Sequence, residues 1–290
     1  MPGTLYIVAT PIGNLADMTP RAVDVLSGVD MIAAEDTRHS RALLTHFGIR
    51  TPSFSCHKFN EGKRGDFFVS ALMEGKDVAL ISDAGTPSIS DPGHRLVSLA
   101  AAAGVEVVAV CGANAVAAAL SVSGMDASRF VFLGFLPRTG KEQAMIWDTL
   151  EGCPAVFYES PLRIHKTLER LAEAYPAASV CLCNDLTKKF ERIYRGTPSE
   201  VLEELSQNPS AKKGEYTCIV LLPAKDAVED NTPELSLEAQ LVDVMTKTSC
   251  SLKDAANLLF ESRKAHRKPG DKKAIYAASL RLKELLNREK

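Results

Sequence analysis

Over the first 123 residues, short and continuously apolar runs alternate with stretches of helical periodicity, and this alternation limits the fold more than any other feature. Strands are expected at residues 4–10 (TLYIVAT), 31–34, 53–57, 78–82 (VALIS) and 105–110. Helices are expected at 20–28, 38–47, 65–75, 92–103 and 113–123. A strand with no polar face needs cover on both sides, so these elements form a mostly parallel sheet between helical layers.

A second α/β unit follows. Its strands are expected at 130–135, 155–158, 179–184, 191–196 and 216–222, with helices at 142–150, 162–174 and 199–206. The strands at 179–184 and 191–196 have no helix between them, so this sheet is mixed and partly antiparallel. The polar, acidic stretch PAKDAVEDNTPE at 223–234 reads as a linker. The expected domains are 1–123 and 124–223, a linker at 224–235 and a helical region at 236–290. The helices of that last region are expected at 237–247, 252–263 and 272–288. Thr19-Pro20, Asp91-Pro92, Ser160-Pro161 and Thr197-Pro198 each offer a capping side chain followed by proline at the first helical position. Thr197 with Glu200 also matches a capping box.

The formal net charge of −2 argues against a generic nucleic-acid coat. Residues 262–290 nevertheless carry ten Lys/Arg against three Asp/Glu, which suits a polyanionic partner docking at that end or a solvated basic helix face. No apolar run approaches the roughly 20 residues that cross a bilayer, and no signal-peptide core is visible, so a cytoplasmic protein without membrane attachment is expected. The seven cysteines are scattered, mostly in apolar runs, without Cys-x-x-Cys or zinc spacing. Reduced, structural thiols and no metal are expected, with Cys181 and Cys183 on one face of a strand.

Neither a dinucleotide-type Gly-x-Gly-x-x-Gly after the first strand nor a Gly-Lys-Ser/Thr phosphate loop is present. Three other loops follow strands. The first, Ala9-Thr10-Pro11-Ile12-Gly13-Asn14-Leu15, stops a strand and allows close backbone approach at Gly13. The second runs over residues 82–93 (SDAGTPSISDPG) and is long for a strand–helix junction, which points to binding at the carboxyl end of a central strand. In the third, Cys111-Gly112-Ala113-Asn114-Ala115 opens a small-residue helix whose first N–H groups face outward. Together they suit a compact ligand with a ribose and an amino-acid end.

The order and spacing of these segments resemble the ribosomal RNA small subunit methyltransferase I family. The resemblance rests on residues 4–15 (TLYIVATPIGNL) with Asp17, Thr19 and Arg21, on Glu35-Asp36-Thr37-Arg38 and on the 82–93 loop. It continues through Gly134-Phe135-Leu136-Pro137, Phe157-Tyr158-Glu159-Ser160-Pro161 and Leu186-Thr187-Lys188-Lys189-Phe190-Glu191, reaching about residue 222, and includes SLKDAA at 251–256. It implies a class III, tetrapyrrole-methylase-like α/β fold: two α/β domains with the cofactor cleft between them and a small C-terminal helical appendage. It also implies a homodimer that uses S-adenosyl-L-methionine (SAM) to methylate the 2′-hydroxyl of a cytidine in the decoding centre of 16S rRNA, in the small ribosomal subunit. Members of the same fold methylate tetrapyrroles or the diphthamide precursor. Those activities, and a ribosome-binding module without catalysis, are the alternatives.

Carried over by position, Ile12, Ser82, Asp83, Gly85, Thr86 and Ile89 surround the cofactor on one side. Asn114, Ala115, Phe157, Tyr158, Tyr216 and Thr217 complete that set. Where the family has Pro-Gly-Pro, this chain has Cys111-Gly112-Ala113, and the loss of two prolines is expected to loosen the loop. The segment after Pro137 is also less basic than usual in the family.

Transfer to a hydroxyl calls for a proton acceptor, and the candidates are Asp36, His57 and Glu61. Asp36 reads equally as an ion-pair partner of Arg38 at a helix start, and the His57 cluster as a helix cap. Candidate RNA contacts are Arg38, Asn60, Arg138, Arg163, Lys188 and Lys189, with Arg263, Lys264, Arg267 and Lys268 in the basic tail.

Overall fold

The computed structural model of the chain describes residues 1–57, 61–150, 152–223, 236–262 and 271–287. Met1–Ala224 form one compact unit and Lys225–Lys290 another.

The first lobe of the larger unit runs β1 (Thr4–Val8), α1 (Pro20–Gly28), β2 (Met31–Ala34), α2 (Thr37–His46) and β3 (Ser53–Ser55). It continues through α3 (Glu61–Met73), β4 (Val78–Ile81), α4 (His94–Ala102), β5 (Glu106–Val110) and α5 (Ala115–Ser123). All five strands are parallel, in the order β3-β2-β4-β1-β5. β2 and β4 are buried at every residue, as their unbroken apolar runs require. Successive side chains go to opposite faces. Val78 and Leu80 pack with Phe68, Leu72 and Leu96 on one face, while Ala79 and Ile81 pack with Leu26, Ile32 and Leu44 on the other.

After β1 the chain crosses to α1 on one face, and after β4 to α4 on the other. The two strands are neighbours, so their carboxyl ends mark the sheet's topological switch point, where α/β folds hold ligands. Thr10 and Gly85 tie these ends together by reciprocal backbone hydrogen bonds of 2.9 and 3.0 Å. That pairing ends the first strand at Val8 and turns residues 9 and 10 into part of the loop.

The second lobe contains β6 (Val131–Phe135), α6 (Gly140–Trp147), β7 (Ala155–Glu159), α7 (Ile164–Ala174), β8 (Ser179–Asn184), β9 (Arg192–Gly196), α8 (Pro198–Ser206) and β10 (Tyr216–Leu221). Its sheet has the order β6-β7-β10-β8-β9 and is mixed: β6 and β7 are parallel, and the other pairs antiparallel. One face packs on α7 and α8 through Phe157, Leu168, Leu182, Val201 and Leu205. The other packs on α5 of the first lobe, where Val116, Ala119 and Leu120 meet Val156, Cys181, Cys183 and Ile219. Small residues let the helix lie close to the sheet, and the two lobes thus share one apolar element.

Two of the four expected proline-marked starts hold. Thr19 accepts the Ala22 N–H at 3.1 Å, and Thr197 with Glu200 forms the capping box. At Asp91-Pro92 the expectation is corrected: α4 begins only at His94, with Gly93 as the residue before it and no side-chain cap. Gly93 has φ of +133°, and a Cβ there would meet Ser88 Oγ at 2.6 Å and Leu80 Cδ2 at 2.7 Å. The tight fold of the loop therefore sets the helix start, and Asp91 does not cap it. At Ser160-Pro161 the chain makes a turn and α7 begins at Ile164, again without a side-chain cap, because the residue before it, Arg163, has only donors and cannot accept a helix N–H.

The cysteines need a partial correction. None forms a disulfide, and Cys56, Cys181, Cys183 and Cys218 are buried, but Cys153 and Cys250 are half-buried and Cys111 is exposed. Cys111 is the first residue beyond the end of β5.

The smaller unit is built of α9 (Leu237–Thr248), α10 (Leu252–Ser262) and α11 (Asp271–Asn287). They pack through Leu241, Ala255, Leu259, Ile275, Ala278 and Leu282. Arg263, Lys264, Arg267 and Lys268 lie outside the described residues.

The β1 loop meets the β8–β9 turn at Gly13. A Cβ on Gly13 would lie 2.5 Å from Lys188 Cγ and 2.9 Å from the Leu186 carbonyl oxygen. Lys188 can move aside, but the backbone oxygen cannot. Gly13→Ala is therefore expected to cost about 1–3 kcal/mol in denaturant unfolding, the range for overpacking a tight contact. A variant as stable as the parent would contradict this account of the junction.

Candidate functional site

A cleft of about 350 Å³ opens between the two lobes at the switch point. The first lobe contributes Ile12, Gly85, Thr86, Ile89, Asn114 and Ala115. The second contributes Tyr158, Tyr216 and Thr217. These nine are sequence candidates, and the fold brings them to one cavity. Ser82 and Asp83 line an adjoining cavity instead. Phe157 departs from its expected place: it is fully buried and stacks edge-on against Trp147 at 5.7 Å between ring centroids. It alternates with Tyr158 on β7, so only one of the two can face the cleft.

The cleft also contains groups that sequence reasoning did not select. Asp91, Phe135, Glu159, Ser160, Pro161 and Glu215 belong to its lining. All but Glu215 stand inside motifs already singled out. Glu215 precedes β10 and had no such signal.

The altered loop before α5 is fastened in its own way. Asn114 caps α5, its Oδ1 accepting the Val116 and Ala117 N–H groups at 2.9 and 3.1 Å. Its Nδ2 donates to Thr86 Oγ1 at 3.4 Å, and Thr86 Oγ1 donates to the Ala113 carbonyl at 3.2 Å. The N–H groups expected to face a ligand are therefore taken by the cap, and the loop expected to be loosened by lost prolines is pinned to the 82–93 loop. Ser88, within that loop, has φ of +68°, a conformation rare outside glycine and characteristic of sites where the surroundings impose it.

Carboxylates gather on the first-lobe side. Glu35 Oε2 accepts the Asp83 N–H at 3.3 Å, and Asp83 Oδ1 accepts the Asp36 N–H at 3.2 Å, linking the ends of β2 and β4. Burial raises the Glu35 carboxyl above its ordinary range, and the charges of Asp91, Asp83 and Asp36 add to the rise. Burial, with Asp83 nearby, also raises Asp91. Both are groups the fold holds at an electrostatic cost, a mark of functional sites. Tyr158 is pushed up to about 12, first by burial and then by Asp91 and Glu215, so its hydroxyl stays neutral.

Asp36 behaves in the opposite way. It caps α2 through the Arg38 N–H at 2.8 Å and pairs with the Arg38 guanidinium at 3.0 Å, which holds its carboxyl down at about 2. A carboxylate so stabilised is a weak base. His57 is half-buried just past β3, the outermost strand, with β2 between it and β4. Glu61 opens α3, and Asn60 lies outside the described residues.

Among the candidate RNA contacts, Arg38 and Lys188 border the adjoining cavity. Lys188 Nζ bonds Asp185 at 2.7 Å and Glu215 at 2.8 Å. Lys189 is exposed over the Phe190 ring, and Arg138 is exposed past β6. Arg163 is not free to meet a partner: it donates to the Leu136 and Pro137 carbonyls at 2.7 and 3.0 Å and pairs with Glu159 at 3.2 Å. The Glu159 carboxylate is fully buried and also accepts from Thr167 Oγ1 at 3.0 Å and the Ser160 N–H at 2.8 Å. This clasp fixes the cleft wall of the second lobe. Arg163→Met strands a buried carboxylate and is expected to cost about 3 kcal/mol of stability in denaturant unfolding. Adding Glu159→Gln should recover part of that loss, and a double variant less stable than the single one would show that the charge is not the cause.

The tetrapyrrole (corrin/porphyrin) methylases match residues 4–202 of the chain. Ribosomal RNA small subunit methyltransferase I of Xylella fastidiosa is 40% identical over 270 residues, covering 92% of this chain and 97% of that protein. The protein of the same name from Pseudomonas aeruginosa is 42% identical over 262 residues, covering 89% and 92%. Among solved structures, diphthine synthase superposes with a TM-score of 0.59 at 14% identity, over 76% of this chain and 90% of that one. Cobalt precorrin-4 methyltransferase gives 0.55 at 17% identity, over 75% and 94%. Those two likenesses concern the fold alone. Near-complete coverage at about 40% identity goes further, and the two lobes, the cleft and the loop after β4 lie within the matched span: the chain belongs to the ribosomal RNA small subunit methyltransferase I family, within the tetrapyrrole methylases.

Proposed function

We propose that this chain transfers a methyl group from SAM to the 2′-hydroxyl of a cytidine in the decoding centre of 16S rRNA, acting as a cytoplasmic homodimer on the small ribosomal subunit. The observation that carries the reading is the cleft at the switch point, walled by both lobes and furnished for a small cationic nucleoside. Ile12, Ile89, Phe135 and Tyr158 offer apolar walls to a flat base. Thr86, Asn114 and Thr217 offer polar atoms to a ribose or amino-acid end. Asp91 and Glu215 give the cavity an acidic lining, which favours a positively charged ligand over a phosphorylated one.

Bound SAM would supply an electrophilic methyl group. The chain must add alignment, worth roughly 7–11 kcal/mol in favourable cases, and removal of the hydroxyl proton. For the latter we assign Asp83 in preference to Asp36, His57 or Glu61. Asp83 stands on the 82–93 loop and lines the cavity next to the cleft, and among the described residues its Oδ2 has no protein donor. Glu35 behind it holds the Asp83 main chain. Among the described residues no helix is long and apolar enough to cross a membrane. The basic region 236–290 is assigned to docking on the RNA backbone, where binding is salt-dependent and indifferent to sequence.

The acidic lining gives a test of the cofactor. A cation stabilises the ionised form of Asp91, whose protonation is raised, so SAM binding should release protons and weaken as pH falls through that raised range. Calorimetry of Asp91→Asn should show weaker binding at neutral pH with little remaining pH dependence. An unchanged pH profile would remove Asp91 from the site. The base gives a second test. Asp83→Asn should lower the methyl-transfer rate by about 10²-fold or more with SAM affinity nearly unchanged. Asp36→Asn, which keeps the cap, should have a far smaller effect, and the reverse ranking would return the role to Asp36.

A further inference from the structure

A second cavity, of about 630 Å³, opens beside the cleft and shares Ile12, Ala84 and Glu215 with it. One wall is α2. His39, Ala42, Leu43 and His46 all line the cavity and recur at the spacing of a single helical face. Leu44 turns the other way, into the core. On the solvent-side face His39, Ala42 and His46 are exposed, and Leu43 is half-buried. Across the cavity stand Pro11 and Leu15 of the β1 loop, with Leu15 42% exposed. None of these four α2 side chains lines the cofactor cleft, and His46 also meets the Phe47 ring edge-on at 4.8 Å.

The charge is divided across this space. Asp83 and Glu215 are its acids, and Glu215 belongs to the wall shared with the cleft, while Arg38, His39, His46 and Lys188 bring basic groups. Arg38 spends Nε and Nη2 on Asp36, which leaves three of its five N–H donors. Lys188 is held by a strained turn: Asp185 and Thr187 have φ of +53° and +66°, and Thr187 Oγ1 is buried without a partner among the described residues. Strain of this kind persists where the surroundings over-determine a position.

We propose that this cavity receives the acceptor nucleotide, unstacked from its RNA strand, with its base between the α2 face and Leu15 and a flanking phosphate at Arg38. The inference rests on the SAM-dependent RNA reading above and specifies where the RNA enters. The acceptor hydroxyl must reach the wall that the two cavities share, and proteins that recognise single RNA strands take splayed, unstacked nucleotides into pockets of this kind. Unstacked bases are held on aromatic planes, imidazole included, and against apolar side chains. Phosphates are repelled by Asp83 and Glu215 and drawn to the basic groups, so the ribose side faces the cleft.

The test uses the full-length chain, small ribosomal subunits lacking the modification, and labelled SAM, with SAM affinity measured separately by calorimetry. Ala42→Trp fills the cavity from the α2 side. It should abolish methyl transfer or raise KM for the particles tenfold or more, with SAM affinity unchanged. The double substitution His39→Ala/His46→Ala changes only exposed side chains, so folding is retained, and it should raise KM about tenfold with kcat far less affected, the size of a lost stacking contact. If the parent chain methylates the particles and both variants do so with unchanged KM, the nucleotide does not enter here and the pocket assignment fails. If the parent binds SAM but methylates no particle, the underlying functional reading fails instead.

Discussion

The burial of α5 against a second sheet is the interaction on which the rest of the larger unit depends. The helix is apolar nearly all round because it follows a strand of the first lobe while its Val116, Ala119 and Leu120 fill a face of the second. That shared contact brings the carboxyl ends of β1 and β4 opposite β7 and β10, and so creates a cleft from loops that neither lobe could close alone. Asn114 stands at the start of the same helix and links the weld to the 82–93 loop through Thr86. Packing and site geometry are therefore one construction: a change that shifted α5 would alter the cavity before it unfolded a sheet.

Electrostatics then divides the cavity system by function. Asp91 in the cleft is a carboxylate whose ionisation is opposed by burial and by Asp83 nearby, a cost that a cationic ligand can relieve. The adjoining cavity brings basic side chains on α2 and on the β8–β9 turn. A chain of net charge −2 can in this way serve an anionic polymer and a cationic cofactor, because the signs are separated over the distance between neighbouring loops.

Much of the fold was legible in the sequence, since continuous apolar strands and 3.6-residue periodicity are local signals of burial. Strands 31–34 and 179–184 and helix 20–28 match to the residue. Asp91-Pro92 misled because the start of α4 is decided by the approach of Gly93 to Ser88 and Leu80, a tertiary contact. Phe157 and Tyr158 could not be separated by resemblance, because their facing depends on which side of β7 the cleft occupies. Asp36 stood out by motif, yet its neighbour Arg38 occupies it, and Asp83 next to the cleft was read as a cofactor contact and not as a base. The His39 and His46 face was invisible because, without the β1 loop opposite, it reads as an ordinary solvated helix surface.

The proposed methyl transfer to a ribose of small-subunit RNA is read out by mass mapping of 16S rRNA from cells with and without the protein. One 2′-O-methylated cytidine in the decoding centre should disappear with the protein and return on complementation. An identical ribose-methylation map in both cells would contradict it.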